Sequence, residues 1–166
     1  DGESLPYDRV LIATGARARP WPNKEEAALD GVFTLRSRED GAGLAERLAA
    51  RPERVLVIGG GFTGSEIASA CRELGIQVTV TERGPAPLVG ALGGTLSKLA
   101  AVMQRNHGVD LRTGVTVTAL NGNGAFTGAE LSDGGRVDAD VCVAALGAIR
   151  NVEWLAESGL AVGPRG

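Results

Sequence analysis

Short, wholly apolar runs alternate along this chain with stretches whose apolar residues recur at helical spacing. Val55-Leu-Val-Ile58 is β-branched and apolar throughout, the pattern of a parallel strand buried on both faces. Beyond it Ile67, Cys71 and Leu74 fall at i, i+4 and i+7, which gives a helix an apolar stripe to lay on a sheet, and Gly75 closes that helix. Gln77 to Glu82 reads as the next strand. A helix from about Leu96 to Asn106 carries Leu96, Leu99 and Met103 on one face; Gly108 stops it, and Val109 to Arg112 is a third strand. Upstream, Val32 to Leu35 is a short strand. Ser37 then caps a helix through Arg51, with Glu39 and Asp40 in its first turn, and Pro52 marks its end.

Residues 115 to 138 change character. Val115 to Leu120 and Ala125 to Leu131, joined through Asn-Gly-Asn-Gly at 121 to 124, pattern as an antiparallel meander whose second turn is Asp133-Gly-Gly135. Asp140 to Gly147 is another buried strand ending in glycine, and Val152 to Ser158 a short helix. Tyr7 to Gly15 reads as a strand running into a tight glycine, followed by the extended, proline-containing segment 17 to 22. The chain opens at Asp1 rather than Met and closes in the loop 163 to 166, so it is expected to be a fragment.

The junction after Val55–Ile58 carries the chemistry. Gly59, Gly61 and Gly64 hold the G-x-G-x-x-G spacing of a dinucleotide-binding loop, between a strand and a helix, where that motif has its meaning. Gly59 permits the tight turn, Gly61 lets the backbone approach a pyrophosphate, and Gly64 lets helix and strand pack closely. The helix then points unpaired N–H groups and the positive end of its dipole at phosphate. Glu82 ends the next strand 18 positions beyond Gly64, where a carboxylate accepts hydrogen bonds from ribose hydroxyls and repels a 2′-phosphate. NAD(H) is therefore favoured over NADP(H). Arg83 pulls the other way, because an arginine there pairs with a 2′-phosphate; the plainer alternative for Glu82 is a solvated acid at a strand end. The pattern as a whole is α/β: a Rossmann-like parallel sheet with a three-stranded antiparallel β-meander as a crossover.

Composition narrows the function classes. The 166 residues suffice for one well-cored domain, or one domain with pieces of another. A formal charge of −3 gives no sign of nucleic-acid binding, and no apolar run approaches the ~20 residues of a membrane span. Cys71 and Cys142 fit no metal or redox spacing and read as buried core thiols, which suits a reducing cytoplasm. No metal cluster, carboxylate dyad or Ser-His-Asp set stands out, so no catalytic or metal-ligating side chain is assigned. His107, beside Gly108 at a helix end, reads as a capping residue, and Trp21 and Trp154 as packing anchors.

An A-T-G strand, a dinucleotide loop, a β-meander and A-L-G-A-I-R-N, in that order, resemble the FAD-dependent pyridine nucleotide-disulfide oxidoreductases. Within that family GGGFTGSEIA at 59 to 68, the loop at 82 to 94, HGVDLRTGV at 107 to 115 and the 147 to 155 region are most similar to the NADH:ferredoxin reductases of oxygenase systems. The resemblance covers nearly the whole chain and implies the glutathione-reductase-like two-dinucleotide fold, in which an NAD domain is inserted between two FAD segments. Residues 1–22 would then end the first FAD segment, 23–149 form the NAD(H)-binding domain, and 150–166 start the return. Carried over residue by residue, Thr14 and Gly15 match the A-T-G motif whose backbone approaches flavin. Gly59, Gly61, Phe62 and Thr63 match the pyrophosphate cradle, Glu66 an acid that positions the nicotinamide end, Glu82 the ribose acid and Gly147 a second glycine contact. Two positions depart from the pattern: Thr63 stands where an aliphatic residue is usual, and Arg150 where proline precedes Asn151.

The resemblance implies that the full-length protein passes hydride from NADH to FAD and then electrons to a ferredoxin-type iron–sulfur protein, with this fragment alone inactive. Two other readings stand beside it. One is a dinucleotide-binding or redox-sensing module without catalysis. The other is an NAD(P)H-dependent disulfide reductase, whose cysteine pair would lie upstream of residue 1. The lack of C-x-x-C argues against the thioredoxin-reductase branch. Thr14 and Gly15 also read as a plain strand-end turn, and Glu66 as a favourable charge near a helix dipole.

Overall fold

The computed structural model describes residues 2–161 and 163. In chain order its elements are β1 (Ala16–Ala18), α1 (Lys24–Ala27), β2 (Val32–Phe33), α2 (Arg38–Ala49) and β3 (Arg54–Ile58). Next come α3 (Phe62–Glu73), β4 (Gln77–Glu82), α4 (Val89–Asn106), β5 (Asp110–Thr113) and β6 (Val117–Asn123). β7 (Ala125–Leu131), β8 (Arg136–Asp138), β9 (Val141–Ala144), β10 (Ala148–Arg150) and a 3-10 turn at Glu153–Leu155 complete it. They divide into two compact units, Ala18–Gly147 and a smaller one made of the residues up to Arg17 with those from Ala148.

The larger unit is built on a five-stranded parallel sheet of order β2-β9-β3-β4-β5. The period of two along β3 decides its layers. Val55 and Val57 face a core shared with Leu44 and Leu48 of α2, Ile67 and Cys71 of α3, and Ala101 of α4. Leu56 and Ile58 face the opposite core, which holds Trp21, Leu120, Phe126 and Leu131. Helices α2, α3 and α4 thus cover one face and the antiparallel sheet β6-β7-β8, with α1 beside it, the other, so the apolar run Val55–Ile58 is dictated by burial on both sides. Ser37 caps α2 in a reciprocal box with Asp40, which satisfies two backbone donors of that helix start. β3 lies between β4, the next strand in the chain, and β9, a late one. Its carboxyl end is the topological switch point of the sheet, where open α/β folds place ligands.

Four expectations are corrected. Residues 7–15 form no strand, and Tyr7, Val10 and Leu11 are exposed; an apolar strand needs a sheet on both sides, and pairing in the smaller unit begins only at Ala16, between β1 and β10. α4 begins at Val89, is kinked at Gly93, and buries Ser97 and Ala101, while Leu96, Leu99 and Met103 face solvent. Small residues win the inner face because they let the helix approach closely: Gln104 Nε2 donates to Ser65 Oγ of α3 at 3.0 Å. Leu74 is exposed because α3 has ended, and Ile76 fills the core in its place. The expected helix at 152 to 158 is a single 3-10 turn with Trp154 exposed and its indole N–H donating to the Asn151 carbonyl. Trp21 is buried as expected, its N–H on Glu26 at 2.6 Å. His107 is the C-cap of α4. The loop expected at 163 to 166 lies outside the described residues apart from Gly163.

Candidate dinucleotide site

The turn from β3 into α3 shows what each motif glycine does. Gly59 sits at φ +108°, and a Cβ there would stand 2.5 Å from the Ala145 carbonyl oxygen just beyond β9. A Cβ on Gly64 would stand 1.9 Å from the Gly59 carbonyl oxygen. Both are glycine because a side chain would clash, and Gly59 also because its left-handed φ disfavours any other residue. Gly61 differs: its φ and ψ are extended, and a Cβ there would meet nothing within 4 Å. Glycine keeps that space open rather than relieving a clash.

Gly61 is also the N-cap of α3, and no side chain caps the helix. The first bond back into the turn is Ser65 N–H to the Gly61 carbonyl, 2.9 Å. The N–H groups of Phe62, Thr63 and Gly64 therefore have no protein acceptor among the described residues, and they carry the positive end of the helix dipole. A diphosphate is the chemistry such a terminus accepts. Phe62 and Glu66 are exposed, Phe62 with 59% of its surface accessible, and Thr63 is half-buried.

Glu82 at the end of β4 is brought directly against this turn. One carboxylate oxygen accepts from Gly60 N–H at 2.8 Å and the other from Gly84 N–H at 2.6 Å. The Gly60 carbonyl accepts from Leu88 N–H at 2.8 Å, and Leu88 holds a left-handed conformation at φ +59°. Glu82 thus fastens the 83–88 loop and the glycine turn together, a structural task the motif spacing did not reveal. Gly60 belongs to the same clamp, since a Cβ there would meet Glu82 Cβ at 3.1 Å and Pro87 Cβ at 3.2 Å. The third glycine in the run 59 to 61 was the available signal, because the motif asks for only two. Arg83 is exposed beside Glu82. Gly147, at φ +89°, follows β9 and accepts from Arg19 N–H through its carbonyl at 2.9 Å.

Thr14 and Gly15 belong to the smaller unit. Thr14 Oγ1 donates to the Asn151 carbonyl at 2.6 Å, Asn151 Nδ2 returns a bond to the Thr14 carbonyl at 3.1 Å, and Asn151 N–H donates to the Gly15 carbonyl at 3.0 Å. Arg17 donates to Asn151 Oδ1 and pairs with Glu153 at 2.5 Å. That hydrogen bond holds the Glu153 carboxyl below its ordinary pKa and raises Arg17. Asn151 is the organiser here, a role hidden in sequence because its partners lie far away along the chain.

Cys71 and Cys142 are free and buried, and burial pushes their thiols up to about 11 and about 12. Both stay protonated in the native fold at neutral pH, so neither is a nucleophile. A thiol reagent at pH 8 is expected to leave both unmodified in the native chain and to label both after denaturation. Because both pKa values are raised on folding, the stability gained is full below pH 9, the ordinary thiol value, and is lost as pH rises through 11 and 12. Rapid native labelling would refute this. No group of three or more potential metal ligands occurs, and no helix is long and apolar enough to cross a membrane, among the described residues.

Known proteins are similar to the chain over nearly its whole length. The chain is 35% identical over 163 residues to rhodocoxin reductase of Rhodococcus erythropolis, covering 98% of this chain and 38% of that one. It is 34% identical to rubredoxin-NAD(+) reductase of Pseudomonas putida, with 98% and 42% covered. The crystal structure of a ferredoxin reductase from Rhodopseudomonas palustris superposes with a TM-score of 0.89 at 32% identity, over 98% of this chain and 40% of that one. The chain thus spans about two fifths of the length of the curated relatives it matches. Its residues 1–166 match the pyridine nucleotide-disulphide oxidoreductase family throughout, and the chain belongs to that family.

Proposed function

We propose that this chain is the NAD(H)-binding portion of an FAD-dependent oxidoreductase that delivers electrons to a ferredoxin-type iron–sulfur protein. The observation that carries the reading is the uncapped start of α3 behind Gly61, open where the neighbouring glycines are crowded. The N–H groups of Phe62, Thr63 and Gly64 would hold the pyrophosphate. Glu82 would receive the adenosine ribose on the lone pairs left over from Gly60 and Gly84. Being fixed there by two hydrogen bonds, it would repel a 2′-phosphate, which favours NADH despite Arg83. Glu66, one turn into α3, would stand toward the nicotinamide end. Thr14, Gly15 and Gly147 would contribute to FAD contacts in the full-length protein, with residues 1–22 and 150–166 flanking an NAD domain at 23–149.

When bound together the two cofactors supply hydride transfer from NADH and the release of electrons one at a time. The protein's part is then to bind, orient and exclude water, and no acid–base pair is required of these residues. The names of the relatives, reductases of rhodocoxin and rubredoxin, support a small redox-protein partner. Free buried thiols suit a cytoplasmic setting, and as Cys71 and Cys142 are unpaired they lend nothing to a disulfide-reductase reading. The isolated chain is expected to carry no flavin and to reduce no artificial acceptor.

Gly61→Ala separates binding from folding. The added methyl meets no atom of the protein, so the unfolding midpoint is expected to stay within about 2 °C of the parent, as for surface changes. The methyl would stand where a diphosphate approaches, and NADH affinity measured by fluorescence titration is expected to fall about thirtyfold, the worth of one or two hydrogen bonds to charge. Unchanged affinity would place the dinucleotide elsewhere.

A further inference from the structure

Four arginines scattered through the sequence converge on the edge of the parallel sheet opposite the glycine turn. Arg54 opens β3, in register with Gln77 at the start of β4; Arg112 lies in β5, Arg136 opens β8, and Arg72 is near the end of α3. With Asp110 and Asp138 they line an open cleft of about 510 Å³. Four arginines against two aspartates leave the lining with an excess of two positive charges, within a chain whose net charge is −3.

Backbone carbonyls, more than carboxylates, hold these guanidinium groups. Arg54 donates to the Asp138 carbonyl at 3.1 Å, Arg72 to the Ile76 and His107 carbonyls at 3.0 and 3.1 Å, and Arg112 to the Arg136 carbonyl at 3.2 Å. Among the described residues only Arg112 of the four has an ion pair, with Asp110 at 2.9 Å, and Asp110 is itself held by Thr79 Oγ1. Carbonyls orient a guanidinium without cancelling its charge, and each arginine has five N–H donors. The Arg136 guanidinium is exposed and has no hydrogen-bond or ion-pair partner among the described residues. Bringing like charges together is unfavourable unless an anion completes the set.

We propose that this cleft binds a small multiply charged oxyanion, a phosphate or a polycarboxylate of about two negative charges, gripped by Arg54, Arg112 and Arg136. Planar, forked donors match the paired oxygens of both groups, two of them held in place by carbonyls and the third, Arg136, free to turn onto the anion. The site is separate from the glycine turn and does not depend on the dinucleotide reading.

The test is to titrate inorganic phosphate and, separately, citrate into the 166-residue chain while following arginine Nε–H resonances, with sodium chloride at matched ionic strength as reference. Saturable shifts of the Arg54, Arg112 and Arg136 signals with either anion, absent with chloride, are expected, and the stronger binder identifies the class. Arg136→Ala is expected to weaken that binding about tenfold and Arg136→Glu to abolish it, with unfolding midpoints in anion-free buffer unchanged because the side chain has no partner to lose. Shifts equal to those in chloride, or affinity unaltered by Arg136→Glu, would overturn the proposal.

Discussion

Gly64→Ala is expected to abolish measurable NADH binding and to destabilise the fold by about 3 kcal/mol, the upper range for forcing a methyl into a packed site. The new Cβ would lie 1.9 Å from the Gly59 carbonyl oxygen, 3.1 Å from its carbon and 3.2 Å from Val57 Cγ1. Two of those three atoms are backbone, so no side chain can swing aside. The turn cannot retreat either. Gly59 N–H is bonded to the Thr81 carbonyl at 2.8 Å, and the space between Gly59 and the Ala145 carbonyl does not admit even a Cβ. Relief requires α3 to lift from the sheet, which opens the core around Ile67, Ala68 and Cys71 and turns the N–H groups of residues 62 to 64 away from their common target. The unfolding midpoint is expected to drop by roughly 10 °C for a chain of this size. Gly61→Ala, at the N-cap of a helix that the added methyl does not crowd, serves as the matched control for loss of binding without loss of fold. A Gly64→Ala chain that melts with the parent would show that the close approach of helix and strand is not what this glycine secures.

The β3–turn–α3–β4 unit was legible because every level of the pattern pointed the same way. An apolar run, a glycine spacing, a helical stripe and a terminal acid fall within about thirty residues and need no distant partner to be interpreted. The meander was legible as a unit, but its first turn is tighter than the pattern implies: residues 121–123 continue β6, paired with β7, and Gly124 alone separates the two strands. Features that depend on distant partners were not legible. Residues 7–15 have the composition of a buried strand, yet composition cannot supply the sheet that buries it. On α4 the large apolar residues at 96, 99 and 103 outweigh Ser97 and Ala101 on any hydrophobicity count, but close packing against α3 selects the small pair.

The site shows the same division. Gly59, Gly61 and Gly64 were identified together from spacing, whereas only coordinates separate two that relieve clashes from one that keeps space open. Asn151 and the arginines at 54, 72, 112 and 136 carry no local signature. For Asn151 the partners are Thr14, 137 residues away, and its neighbour Gly15. For Arg54 and Arg112 they come from parallel register, which aligns Arg54 with Gln77 and Thr79 with Asp110 and so gathers one edge of the sheet from segments far apart in the chain. Side chains whose partners are local can be read from sequence; those whose partners are set by topology become readable only once the sheet is assembled.

Glu82 joins an observed clamp on the glycine turn to the ribose role proposed for it, and its substitutions separate the two. If it served only ribose hydroxyls, Glu82→Gln would keep most of the NADH affinity, because an amide both donates to and accepts from hydroxyls, and stability would not change. The observed bonds lead to a different result. Gly60 N–H and Gly84 N–H each point at one oxygen, at 2.8 and 2.6 Å, and glutamine would turn an NH2 group toward one of them, setting donor against donor. Glutamine is therefore expected to be nearly as damaging as alanine. Both should cost about 2 kcal/mol of stability, the worth of a charge-assisted bond with its partner left unpaired. Both should also lower NADH affinity by roughly a hundredfold, since the released 83–88 loop no longer braces the glycine turn and the ribose acceptor is lost as well. Paired thermal unfolding and NADH titration on the two variants decide the matter. A glutamine chain that melts like the parent and binds NADH within a few-fold of it would reduce Glu82 to a ribose ligand, whereas joint losses in both variants would establish that the acid builds the loop it serves.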